Sequence, residues 1–347
     1  MPYGVPVGGR DESVADASAG AGRAAEAERP RAAIVVNPSK DGVDRLREAV
    51  ARAEQRQQLA PSLWLETTVE DPGKGMAHEA IDAGVDVIVA AGGDGTIRSV
   101  AGALRGTGVP MGLVPLGTGN LFARNIGIPV NDLDDAVVLA FSGVDRAVDV
   151  LVADIRRPDG ALETHASLVM SGIGFDATMI SNTNPDLKKR VGWLAYVDAG
   201  LRVLPSSTPF RVAYRIDGGR HHRPKASSIL VANLGYLPGN IELIPDAEVD
   251  DGALDVVVLQ PKNLFGWLFV WRRIAWGNQV RKTALGRQLL DLTGDRRQDI
   301  VYGRGRRIEI RIEGAPEEFE IDGDEFGSVI AADFHVEQHA LVVRVAG

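Results

Sequence analysis

Cysteine is absent from all 347 residues. Disulfide staples, thiolate metal sites and thiol nucleophiles are therefore excluded, and a reducing compartment suits the chain. No segment reaches the roughly 18 uninterrupted apolar residues that a membrane-spanning helix needs. The first residues lack the positive start and apolar run of a secretory signal. Both absences point to a cytoplasmic protein. No loop ending in GK[ST] occurs, which excludes a P-loop enzyme, and the HRD and DFG motifs of protein kinases are missing too. A formal net charge of −9 argues against a general nucleic-acid binder.

What is present is a globular composition, 45% hydrophobic and 24% charged, in a chain long enough for two domains. Residues 1–30 are rich in Gly, Ala and charge, and read as a disordered tail. From Arg31 short apolar runs alternate with helical spacing. Ala32–Val36, Leu63–Leu65, Val85–Ala91 and Met111–Val114 read as strands, and Val43–Leu59, Met76–Ala83 and Thr96–Leu104 as helices. That alternation is the pattern of a parallel sheet covered on both faces. After about Asp145 the texture changes. β-Branched runs at 147–156, 166–175, 211–216, 227–234, 253–259 and 300–312 read as a mainly antiparallel β domain. Helical stretches near 186–203 and 262–290 interrupt it, and Ala340–Val345 is one more strand.

The sharpest local signal is Gly92-Gly93-Asp94-Gly95-Thr96, which follows the third strand and opens a helix. Glycines there let the backbone approach a phosphate, and free N–H groups with the helix dipole favour the anion. Asp94 would repel that phosphate unless a cation such as Mg²⁺ lay between them. The same residues are also good β–α turn chemistry. Pro115-Leu116-Gly117-Thr118-Gly119-Asn120 forms a second glycine-rich loop, and Asn37-Pro38-Ser39 and Glu66-Thr67-Thr68 form two more. Polar loops gathered on one sheet edge are what a nucleotide cleft requires, because open parallel sheets bind ligands at the carboxyl ends of their strands. Late in the chain, Asp322-Gly323-Asp324 ends the alternating run Glu318–Ile321. It reads as a hairpin turn, or as a carboxylate presented to a cleft.

These motifs, in this order, resemble the diacylglycerol kinase catalytic family, which also contains sphingosine and ceramide kinases and bacterial lipid kinases. The resemblance covers residues 31–347. It implies an α/β N-terminal domain with a mainly parallel, NAD-kinase-like sheet, followed by an antiparallel β-sandwich domain. The implied boundaries are 31–146 plus 333–347 for the ATP-binding domain and 147–332 for the β-rich lipid-acceptor domain. ATP and Mg²⁺ are implied as cofactors. Asn37, Thr67, Gly92, Gly93, Gly95, Thr96, Gly117, Thr118 and Asn120 would lie near the nucleotide, with Asp94 in the Mg²⁺–phosphate network. Asp322 would take the proton from the lipid hydroxyl, with Asp324 beside it. Some bacterial members hold a structural Mg²⁺ at a place matching Glu248, Asp251 and Ala253, which read equally as an acidic turn before a strand. Two positions depart from the family pattern. Asp324 stands where a Glu is usual, and Leu121 replaces the acid of an Asn-Asp-Phe-Ala-Arg motif.

Residues 261–276 carry three of the five tryptophans, and 261–311 holds 12 Lys or Arg against 4 Asp or Glu. This aromatic, basic insertion suits peripheral contact with the inner membrane face, or a helix packed on the β domain. The implied reaction is phosphorylation of diacylglycerol to phosphatidic acid. Alternatives are a sphingoid base or ceramide as acceptor, an NAD kinase, or a non-catalytic nucleotide or lipid sensor. Pro115–Arg124 and the aromatic insertion disfavour NAD. Leu121 and Asp324 support the sensor, and retention of Asp94 and Asp322 counts against it. The expected partner is a lipid at the membrane surface, with no nucleic acid; family analogy adds a homodimer.

Overall fold

Three runs in the first third of the chain are apolar at nearly every position, which demands cover on both sides. The computed structural model describes residues 29–174, 209–237, 241–244, 247–261 and 299–347. Most of the expected tail, the helical stretch near 186–203 and the aromatic insertion at 262–290 lie outside the described residues. The first part folds as β1 (Ala32–Val36), α1 (Val43–Gln57), β2 (Leu63–Glu66), α2 (Lys74–Asp82), β3 (Val87–Gly92), α3 (Asp94–Leu104), β4 (Met111–Pro115), α4 (Leu121–Asn125) and α5 (Leu133–Ser142). β2-β1-β3-β4 lie side by side and parallel. Every residue of β1, β3 and β4 is buried. Leu46 and Val50 of α1 and Val137 and Phe141 of α5 cover Ile34 and Val89 on one face. Ala77 of α2 and Ile97 and Val100 of α3 cover Val35 and Ala90 on the other. The sequence reading missed α5, which Asp132 caps by accepting from the Asp135 N–H at 3.0 Å.

The remaining strands are β5 (Val144–Arg156), β6 (Leu162–Ser167), β7 (Met170–Ile173), β8 (Phe210–Ile216), β9 (Lys225–Ala226), β10 (Ser228–Ala232), β11 (Tyr236–Leu237), β12 (Ile241–Glu242), β13 (Leu254–Leu259), β14 (Ile300–Gly305), β15 (Arg307–Ile312), β16 (Glu317–Ile321), β17 (Asp324–Val329) and β18 (Ala331–Val345). β14-β13-β10-β7-β16-β17 form a six-stranded antiparallel sheet. It stacks on β5, β18, β15 and β8 over a core that includes Leu151, Ile229, Ile310, Phe319 and Phe334. This is the β-sandwich. The parallel sheet does not stop where the texture of the sequence changes. β18 lies parallel to β4 at Val343 and antiparallel to β5 and β15, so a single ten-stranded sheet runs through both halves.

That continuity needs an irregular strand. β18 shifts register against β5 between Glu337 and Leu341, with His339 at φ 51. A bulge leaves backbone groups without ladder partners. Asp149, fully buried on β5, supplies the acceptors: its carboxyl oxygens take the His339 N–H at 2.8 Å and the Gly252 N–H at 2.6 Å. Asp149→Ala strands both donors and is expected to cost about 3 kcal/mol in urea unfolding. A loss below about 0.5 kcal/mol would show that the ladder alone holds the bulge.

Candidate active site

Strand register builds the site. Val36 pairs with both Glu66 and Ala91, and Gly92 with Pro115, so the residues that follow emerge together at one carboxyl edge. The Asn37 N–H bonds the Ala91 carbonyl at 3.0 Å, the Thr67 N–H that of Val36 at 2.9 Å, and the Leu116 N–H that of Gly92 at 2.8 Å. The four loops placed on one edge by the sequence do meet there. Asn37 shapes the first by accepting from the Ser39 N–H at 3.0 Å and its hydroxyl at 2.7 Å. Thr67 is buried behind the second, and Thr118 is exposed in the fourth.

The two glycine loops lie backbone against backbone. A Cβ on Gly117 would stand 2.8 Å from the Gly93 Cα, a contact that only glycine avoids. Gly93 enters α3 in extended conformation without a side-chain cap, which leaves the first N–H groups of α3 available to an anion. Gly92 closes β3 over buried Thr96, and Gly95 lies in the first turn of α3. Asn120, buried at φ 48, staples the second loop. Its Oδ1 accepts from the Gly117 N–H at 3.0 Å and its Nδ2 donates to the Gly117 carbonyl at 2.9 Å. Asn is one of the few residue types at ease in that conformation. Lys40 reaches the same place, its Nζ 3.9 Å from where a Gly93 Cβ would be.

Asp94 laces the loops together: its Oδ1 accepts from the Leu121 N–H at 2.5 Å. Burial is the main force raising its carboxyl above the ordinary range. The Leu121 bond pulls it back, and the charges of Asp322 and Asp324 push it further up. The Leu121 side chain itself is buried in the core. The departure from the family motif is thus a packing residue whose backbone still serves the site.

Asp322 approaches from the sandwich, on the turn joining β16 to β17. Asp322 at φ 51 and Gly323 at φ 88, flanked by the pair Ile321 and Asp324, make the two-residue hairpin geometry with both central residues left-handed. The structure shows the hairpin turn, and it carries a buried Asp322 carboxyl. Its Oδ1 accepts from the Ser167 hydroxyl at 2.9 Å and from the Val169 and Met170 N–H groups at 2.9 and 3.1 Å. Oδ2 accepts from the Leu168 N–H at 3.1 Å, leaving it room for one further donor. Arg98 of α3 spans to this turn and pairs with half-exposed Asp324 at 2.7 Å.

Among the described residues, no three His, Asp or Glu side chains converge into a metal cage. Asp94 nonetheless fits a magnesium–phosphate site by its chemistry: a half-buried, partly desolvated carboxyl pushed up further by two other acids is relieved by a divalent cation. The turn at 248–253 does not fit a cation. Asp251 faces Arg304 and accepts from the Ala253 N–H at 2.9 Å, Asp250 takes Arg146 at 2.7 Å, and Glu248 is exposed. Arginines supply the positive charge that the resemblance assigns to a structural Mg²⁺.

Sequence reasoning missed Arg98, Lys40 and the cradle at Ser167–Met170. Arg98 carried a usable signal, being one helical turn after Asp94 and hence on the same helix face. Lys40 follows the Asn37-Pro38-Ser39 loop. The cradle is mostly backbone N–H, which no side-chain pattern reveals.

Comparison with known proteins gives a consistent result. Residues 31–153 match the family model described as diacylglycerol kinase catalytic domain, and 167–345 that described as YegS C-terminal NAD kinase beta sandwich-like domain. The chain is 27% identical to "Diacylglycerol kinase" of Bacillus subtilis, over 88% of this chain and 92% of the relative. It is 35% identical to "Probable lipid kinase YegS-like" of Stenotrophomonas maltophilia, over 66% of this chain and 74% of the relative. A diacylglycerol kinase crystal structure from Bacillus anthracis shares the fold, with TM-score 0.66 at 22% identity over 92% of this chain and 97% of that one.

The raised carboxyl of Asp94 generates a stability test. Folding disfavours its charge, so the cost is present at neutral pH and vanishes at low pH, where the group is protonated folded or unfolded. Asp94→Asn keeps the acceptor for Leu121 and removes the charge. Its melting temperature should exceed that of the wild type at pH 7, with the gap closing as pH falls below the carboxylate range. A lower melting temperature at pH 7 would contradict the placement of Asp94.

Proposed function

The chain belongs to the diacylglycerol kinase catalytic family of lipid kinases, and we propose that it transfers the γ-phosphoryl group of ATP to the hydroxyl of diacylglycerol, giving phosphatidic acid and ADP. The observation that carries this reading is the Asp322 carboxylate, buried and held by four protein donors, with Oδ2 able to take one more.

Phosphoryl transfer asks a protein mainly for positioning and charge neutralisation. The free N–H groups at the start of α3, the paired glycine loops and Lys40 form a cradle for a polyphosphate at the parallel-sheet edge. Asn37 heads the neighbouring loop at the same edge, and Thr67 is buried behind the next one. A Mg²⁺ ion held by Asp94 would neutralise phosphate oxygens. Opposite them, Asp322 Oδ2 would accept the hydrogen of a primary hydroxyl and, as the new P–O bond forms, take its proton. The rigid cradle of Ser167–Met170 aims that oxygen. The choice of diacylglycerol among lipids rests on the relatives' names, since no described residue discriminates the acceptor.

The test offers γ-labelled ATP with Mg²⁺ to the full chain, with mixed micelles of diacylglycerol, ceramide or sphingosine, and NAD as a soluble control. Label is expected in diacylglycerol. Asp322→Asn should lower the rate by about 10²- to 10⁴-fold. Label entering only ceramide or sphingosine would overturn the acceptor, and label entering only NAD would overturn the lipid reading. No transfer to any of them would overturn the proposal.

A further inference from the structure

Arg98 is the fifth residue of α3, one turn beyond Asp94. Its side chain is only 12% exposed and leaves the parallel half to reach the β16–β17 turn. Nη1 donates to the Ile321 carbonyl at 3.0 Å and lies 3.9 Å from Asp322 Oδ2. Nη2 donates to Asp324 Oδ2 at 2.7 Å, and Cζ stands 5.0 Å from the centroid of the Phe326 ring. One planar fork therefore holds the carbonyl before Asp322 and the Asp324 carboxylate, lies over the Phe326 ring, and brings its charge within 3.9 Å of Asp322. Lysine, a single point charge without the fork, cannot make that set of contacts.

A surface ion pair would be a sufficient account if Asp324 were the whole contact, and such pairs contribute little. The other contacts are of a different kind. Asp322 is buried at a positive φ that its Asp-Gly hairpin turn accommodates, so its neighbours serve to fix the direction of its side chain. The carbonyl immediately before it is fixed by Arg98, and the N–H groups of Leu168, Val169 and Met170 fix its side chain. The Ser167–Met170 cradle belongs to the sandwich; Arg98 belongs to the helix that Asp94 begins.

We propose that Arg98 is the positioning residue of this phosphoryl transfer, an inference that rests on the kinase reading above. It registers the Asp322 carboxylate against the glycine loops and offsets the negative charge of Asp322 and Asp324 where polyphosphate would approach. Its effect falls on the chemical step and not on nucleotide binding.

The test compares wild type, Arg98→Lys, Arg98→Met and Asp324→Asn by kcat and KM for Mg-ATP with saturating diacylglycerol micelles. Rates are normalised to nucleotide-binding sites counted by calorimetry, which removes any loss from misfolded protein. Arg98→Met is expected to lower kcat about 100-fold with the ATP KM within about threefold. Arg98→Lys should stay about tenfold down, because the charge returns without the fork. Asp324→Asn should lose less than about fivefold, since the hold on Ile321 and Asp322 survives. Should Arg98→Met fail to fold, Arg98→Lys decides. Wild-type kcat in Arg98→Lys, or an effect confined to KM, overturns the inference. So does Asp324→Asn falling as far as Arg98→Met. A wild type that phosphorylates no lipid overturns both readings, whereas active wild type with undiminished variants overturns this one alone.

Discussion

The site depends on keeping the β16–β17 turn pressed against the start of α3. On the proposed reading, Asp322 comes from the sandwich and the phosphate cradle from the parallel half, so the reaction requires the two to stay in register. Three features enforce that register. β18 belongs to both halves as one strand of a continuous sheet, with its bulge pinned by Asp149. The Ser167–Met170 segment holds the Asp322 carboxylate from one side. Arg98 crosses the seam from the other.

The electrostatics of the seam explain why it is built this way. Asp94, Asp322 and Asp324 bring three negative charges together where the proposed reading puts a polyphosphate. Left alone they would repel both one another and the substrate. Arg98 offsets two of them, and a divalent cation at Asp94 would offset the third. Asp94 bears the cost in the free protein, its carboxyl raised by burial and by its neighbours. A functional group that folding disfavours is what the usual trade between stability and activity leads one to expect. The acidic turn at 248–253 shows the other solution, with Arg146 and Arg304 as permanent counter-charges.

Much of this was legible in the sequence, and the division follows the physics. β1, β3 and β4 were readable because strands buried on both faces are apolar throughout. The glycine loops were readable because close backbone approach permits no other residue, as at Gly117. Asp322-Gly323 was readable as a hairpin turn because Asp-Gly favours two left-handed central residues. What stayed hidden depends on distant partners. Arg98 and Ile321 are 223 positions apart, and nothing local to either names the other. The Asp322 cradle is largely backbone. The arginines that answer Asp250 and Asp251 lie far along the chain in each direction, so the turn alone resembled a cation site.

The central claim is a division of labour across the seam, with phosphate handling on the α3 side and acceptor activation on the Asp322 side. Titrating Mg-ATP onto Asp322→Asn and Asp94→Asn in parallel, without lipid, tests it most directly. The account predicts that the Asp322 variant binds nucleotide as the wild type does, while the Asp94 variant binds at least about tenfold more weakly through loss of its cation–phosphate contact. Nucleotide binding lost in the Asp322 variant and retained in the Asp94 variant would contradict it, and would put the phosphates on the sandwich side.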